Sequence, residues 1–132
     1  MFKIAKFLVV MIVAILVSQT APGVAASNPQ FDVTGVWTYS GNQLQLFQEK
    51  DQVNGVYVNA AWAHRMEGRY VSLTQVHIIL ITRTRSTGCE VTMIGDITVS
   101  APNVFTLSAT VPEPACGFKS GQNFHSQWTR VL

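Results

Sequence analysis

The chain has 132 residues, 48% of them hydrophobic and only 12% charged, with a formal net charge of +2. That length supports one domain. Beyond residue 26 the basic and acidic side chains balance at seven each, which excludes a basic footprint for nucleic acid and a polybasic membrane anchor. Low charge combined with many strand-forming residues also excludes a disordered chain.

The first segment reads as an export signal. Lys3 and Lys6 form a positive start, Phe7 to Val17 is an unbroken apolar run of eleven, and Ser18 to Ala26 ends in small residues. Eleven helical residues span about 16 Å, roughly half of a hydrocarbon core, so a cleaved signal is favoured over a membrane anchor. Val24 and Ala26 occupy the −3 and −1 positions, which places cleavage after Ala26 and a single domain over 27–132. The expected location is secreted or periplasmic. In that oxidising setting the two cysteines, Cys89 and Cys116, read as one disulfide. A catalytic thiol lacks a neighbouring His or a Cys-x-x-Cys motif. No metal and no cofactor are expected, since two cysteines and three scattered histidines lack ligand spacing.

The remainder shows short segments of period two, separated by turn residues every eight to fourteen positions. Phe31 to Tyr39 places Val33, Gly35, Trp37 and Tyr39 on one face, and Ser40-Gly-Asn42 turns the chain. Leu44, Leu46 and Gln48 share a face of the second strand, Glu49 to Gln52 is a polar tip, and Val53 to Val58 answers it. A fourth strand is expected over Met66 to Val71, with Ala60 to Arg65 a loop or helical turn. Val76 to Thr82 is apolar on both faces and predicts a strand buried on both sides. Cys89 to Val99 alternates cleanly, Pro102-Asn103 breaks it, and Phe105, Leu107, Ala109 and Val111 form the next apolar face. Pro112 to Gly121 is a loop rich in Pro and Gly. Asn123 to Val131 closes the chain, with Phe124, Trp128 and Arg130 on one face.

About eight antiparallel strands in so short a chain must hide their edges, and an up-and-down closed barrel does so. A β-sandwich or an oligonucleotide-type barrel are the alternatives. Thr34-Gly-Val-Trp37 resembles the Gly-x-Trp opening of the calycin superfamily of lipocalins, fatty-acid-binding proteins and avidins. The resemblance implies a structural trio of Gly35, Trp37 and Arg130, with a last-strand arginine lying over the tryptophan ring. Val53-Asn-Gly-Val-Tyr57 and Met66-Glu-Gly-Arg-Tyr70 are similar to avidin Gly-x-Tyr strands. The likeness stops short of a biotin site: Tyr39 stands where avidins carry Asn, and Val76 to Val99 holds no tryptophan pair.

Catalytic residues are not expected. Among the histidines, His77 reads as a hydrogen-bonded wall residue, His125 as exposed opposite Trp128, and His64 as a loop residue. No hydrolase, metalloprotease or phosphate-loop motif occurs. Two binding features stand out. Tyr39, Tyr57, Trp62 and Tyr70 are expected to line a barrel mouth with flat faces and polar tips, or to pack as ordinary core. Arg83 and Arg85, with Arg65 and Arg69 as candidate neighbours, are spaced to project on one face and clamp a carboxylate or acidic partner, or simply to solvate a strand end. The functional expectation is a non-enzymatic barrel holding a small ligand at its mouth. The alternative is an interaction module, such as an inhibitor of an extracellular enzyme, acting through the 112–121 loop.

Overall fold

Alternating side chains become alternating walls. The computed structural model describes residues 29–132, so the signal assignment to residues 1–26 lies outside the described residues. Eight strands follow in order: β1 (Gly35–Tyr39), β2 (Asn42–Glu49), β3 (Gln52–Val58), β4 (Trp62–Tyr70), β5 (Gln75–Thr84), β6 (Glu90–Ala101), β7 (Val104–Thr110) and β8 (Asn123–Arg130). Each pairs antiparallel with the next, and β1 pairs with β8, which closes the barrel. The expected up-and-down barrel is therefore the fold, and neither a sandwich nor an oligonucleotide-type barrel is present. Cys89 and Cys116 form the expected disulfide.

Leu44, Leu46, Val53, Met66, Val76, Ile78, Val91, Met93, Ile97, Phe105 and Leu107 point into the interior. Gln43, Gln45, Asn54, Glu67, Arg69, Glu90 and Gln127 face out. This is the reverse of a transmembrane barrel, in which apolar side chains meet lipid and the lumen is polar. Among the described residues no helix is long and apolar enough to cross a membrane.

Two sequence expectations are corrected. β4 begins at Trp62 and includes His64, which is thus a strand residue and not a loop residue. The β5 run is buried on one face only: Val76 and Ile78 point inward, while Ile79 is 47% exposed. Hydrophobicity on both faces suggested two covered sides, but among the described residues no element packs on the outer wall of this single-sheet barrel.

The up-and-down course gives the barrel two different ends. At one end lie the β2–β3, β4–β5 and β6–β7 turns and the incoming segment before β1. Trp37 is fully buried there and donates its indole N–H to the Val33 carbonyl at 2.9 Å, with its ring 4.6 Å from that of Phe105. The Arg130 guanidinium lies over the Trp37 ring, 4.4 Å from its centroid. It donates to the carbonyls of Thr34 (2.6 Å), Asp32 (2.7 Å) and Pro102 (3.0 Å). Gly35 adopts φ +144°, and a Cβ there would sit 3.0 Å from Arg130 Nη1, so both backbone conformation and space call for glycine. Tyr70 closes the same end, donating its hydroxyl to the Phe31 carbonyl at 3.0 Å. Burial and the Asp32 carboxylate push the Tyr70 phenol up to about 12, partly offset by Arg130.

At the other end lie the β1–β2, β3–β4, β5–β6 and β7–β8 connections. Ser40 and Gly41, both at positive φ, make the two-residue β1–β2 turn, the geometry that matches the twist of paired strands. The disulfide joins the start of β6 to the long β7–β8 loop.

Trp37→Ala should cost about 3–5 kcal/mol as a buried aromatic truncation. Arg130→Lys should destabilise as well, because an ammonium cannot both stack and fork to three carbonyls. Denaturant unfolding of the single and double variants checks this, with a coupling free energy expected between the two positions. Reducing the disulfide should lower the melting temperature, since a loop of this length is worth about 3.5 kcal/mol on chain entropy. Thermal scans with and without reductant read that loss, and β-type circular dichroism should persist at low temperature.

Candidate functional site

The open end of the barrel forms a cup of about 470 Å³. Leu44, Met66, Leu80, Met93, Leu107 and Ala109 make its inner wall, and Tyr39, Tyr57, Trp62, Phe118, Phe124 and Trp128 surround it nearer the rim. This volume lies within the range that accepts small organic molecules. The charged side chains of the described residues lie outside the cup lining; the inward-facing polar residues in that lining are Asn42, His64, Thr82 and Ser126, together with Tyr39 and Tyr57.

The rim aromatics are held in a connected set. The Tyr39 and Trp128 rings lie 5.4 Å apart, Trp62 and Phe118 5.5 Å, and Phe118 and Phe124 5.5 Å. Tyr57 stacks on His64 at 4.2 Å with an interplanar angle of 8°. Asn59, in the short β3–β4 turn, organises two of these groups. Its side-chain oxygen accepts from the backbone N–H groups of Ala61 and Trp62 at 2.9 and 2.8 Å, and its amide donates to the Tyr57 hydroxyl at 2.8 Å. Phe118 reaches the rim because the β7–β8 loop folds back through consecutive left-handed residues, Cys116 and Gly117, beside the disulfide.

Among the described residues His64 is the one titratable base drawn into the wall. Its Nδ1 lies 2.8 Å from the Thr82 hydroxyl, and Thr82 is 1% exposed. Burial lowers its pKa from 6.5 to about 4, so the imidazole is neutral across the physiological range.

The expected aromatic mouth thus gathers Tyr39, Tyr57 and Trp62 but not Tyr70, which sits at the sealed end. Arg83 and Arg85 are exposed and do not line the cup. Arg85 donates to the Asn59 carbonyl at 3.0 Å and so braces the β3–β4 turn, whereas Arg83 stands opposite Glu90 on the neighbouring strand. Arg65 faces outward, and Arg69 pairs with Asp51 at 3.4 Å near the sealed end. Four members of the site escaped sequence reasoning: His64, Asn59, Phe118 and Phe124. Extending the alternation back from Met66 would have put His64 on the inner face, and Asn in a short connection is a turn signal.

The other histidines form a row on the outer wall. His77 Nδ1 is 3.1 Å from Asp96, and Ser108 Oγ is 2.8 Å from His125 Nδ1, all on exposed side chains. A hydrolytic triad needs one histidine bridging serine and carboxylate; here serine and carboxylate bond to different histidines. Among the described residues no group of three or more His, Cys, Asp or Glu is placed to hold a metal.

No protein-family model, curated protein or solved structure matches this chain.

His64 fixes the sign of a pH effect. The native ring resists its proton until about pH 4, while the unfolded one takes it up near 6.5. Its contribution to stability is complete above pH 6.5 and is lost as pH falls toward 4. Replacing both partners, as His64→Phe with Thr82→Val, leaves no orphaned hydroxyl. Unfolding free energies across pH 4–6.5 should fall less steeply toward acid in the double variant than in the native protein.

Proposed function

We propose that this chain is an exported, non-enzymatic barrel of calycin-like type that holds a small, largely apolar molecule in its open cup. The observation that carries the reading is the cup itself, a cavity of about 470 Å³ with apolar walls at the one end of the barrel that is not sealed. The disulfide suits a secreted or periplasmic setting, as does the signal-like segment at residues 1–26. The Trp37–Arg130 stack supports calycin-like character by geometry, because it is the arrangement that the Gly-x-Trp resemblance implies.

A second reading, inhibition of an extracellular enzyme by the 112–121 loop, has one observation in its favour. Pro112, Glu113 and Pro114 are exposed on a loop stiffened by the disulfide, and preorganised loops lose little entropy on binding. Against it, the large apolar side chain of that loop, Phe118, turns in toward the cup rather than out toward a partner. The first reading is preferred for that reason.

Nile red, a neutral apolar fluorophore, should brighten and shift to the blue on mixing with the protein, with a stoichiometry of one. Leu107→Trp, which fills the cup, should abolish the signal without loss of the β-type circular dichroism. An unchanged fluorophore spectrum would favour the inhibitor reading. Inhibition of a panel of extracellular hydrolases, lost when Pro112–Pro114 is replaced by Gly-Ser-Gly, would establish it.

A further inference from the structure

We infer that the cup takes an uncharged, flat aromatic molecule carrying a hydrogen-bond acceptor, a carbonyl above all, and that the Nε2–H of His64 is the donor that recognises it. This rests on the ligand-binding reading above and names the chemistry of its ligand.

The donor follows from Thr82. Its hydroxyl is buried, and among the described residues the partner within hydrogen-bond distance is His64 Nδ1. A buried O–H without an acceptor is costly, so the hydroxyl donates to Nδ1. A neutral imidazole carries a single proton, which then resides on Nε2. Burial keeps the ring neutral, as its lowered pKa indicates. Nε2 has no protein partner among the described residues, yet no fully buried side-chain nitrogen or oxygen there lacks one. That nitrogen is therefore accessible. His64 lies two residues before the inward-facing Met66, and so its free edge opens into the cup. The Tyr57 ring, parallel to it and held by Asn59, fixes the plane in which the N–H points. A donor fixed before the ligand arrives loses little entropy on binding.

The remaining features set the ligand's charge and shape. A carboxylate or ammonium inside the cup would lose its water and meet no countercharge among the lining residues. Tyr39, Trp62, Phe118 and Trp128 offer ring faces and edges around the opening, which suit a planar π-system, and Met66 and Met93 supply adaptable sulfurs behind it. The arginines that sequence spacing suggested as a carboxylate clamp lie outside the cup, consistent with a neutral guest.

Three probes of similar outline test this by calorimetric titration of the disulfide-bonded protein: coumarin, naphthalene and coumarin-3-carboxylate. Coumarin should bind about tenfold more tightly than naphthalene, the worth of one neutral hydrogen bond, and more tightly than the carboxylate by at least as much. His64→Phe should keep naphthalene binding and level the two neutral probes. Thr82→Val, which leaves the histidine but releases its proton placement, should shrink the coumarin advantage, and it decides the matter if His64→Phe does not fold. The inference is overturned if coumarin gains nothing over naphthalene, if its advantage survives both substitutions, or if the carboxylate binds equally well. Naphthalene uptake without those preferences leaves the ligand-binding reading standing. Exclusion of both naphthalene and Nile red overturns that reading and this inference together.

Discussion

The barrel depends on the stack of Arg130 over Trp37. The seam between β1 and β8 is the shortest in the sheet, with two paired positions, Trp37 with Arg130 and Thr38 with Thr129. A sheet closed by so short a ladder needs further ties; the Val131 N–H adds one to the Val36 carbonyl, and the Arg130 side chain supplies several more. The Arg130 guanidinium covers the indole ring and reaches carbonyls on the segment before β1 and on the β6–β7 turn. Its planar, delocalised charge can stack and fork at once, which is why the position suits arginine. The first strand, the last strand and the turn beside them are thereby locked around a single buried ring. Gly35 is part of the same device, since a side chain there would displace the guanidinium.

That lock makes one end solid and leaves the other open as a cup. Trp37, Phe105, Val33 and Tyr70 fill the sealed end, and the Tyr70 hydroxyl and the indole N–H both bond to the entering backbone. The cup walls belong to the same buried cluster, since Leu44, Met66, Met93 and Leu107 are each less than 8% exposed, so the open end shares the core while its rim stays accessible. The open end is also held by local devices: a two-residue turn at Ser40–Gly41, the Asn59 turn braced by Arg85, and the disulfide on the β7–β8 loop. None of these needs a filled interior.

How far the amino-acid sequence discloses this division depends on what each signal can encode. Period-two alternation states which face of the sheet a side chain takes, so the inward positions of β6 and β7 were legible, and with them the eight-strand barrel. It does not by itself state which end of the barrel a residue reaches. In an up-and-down barrel that follows from strand parity: Tyr39 and Tyr57 finish odd-numbered strands at the open end, whereas Tyr70 finishes β4 at the sealed one. An error in the start of β4 concealed the rest. Ala60 and Ala61 favour helix by propensity, which masked the Trp62–His64–Met66 alternation and moved the histidine to a loop. Phe118 was illegible for a different reason. Its place is fixed by a non-local covalent bond and left-handed backbone, neither of which leaves a periodic trace.

The placement of His64 shows how the two ends are connected through the sheet. An imidazole in an apolar wall is tolerable only if it is neutral and one nitrogen is satisfied, and Thr82 provides that from the adjacent strand. The register that pairs His64 with Thr82 also pairs it with Tyr57 on the other side, so three neighbouring strands present a tyrosine, a histidine and a threonine in one row. Because that register is carried through a continuous sheet closed at Arg130, the row's geometry is set by the whole barrel rather than by a loop. A polar group at the end of such a row is directed by rigid elements, the condition under which a single hydrogen bond can discriminate between ligands. The cup thus combines an aromatic rim with a polar row fixed by the sheet, and that row derives its rigidity from the lock at the opposite end.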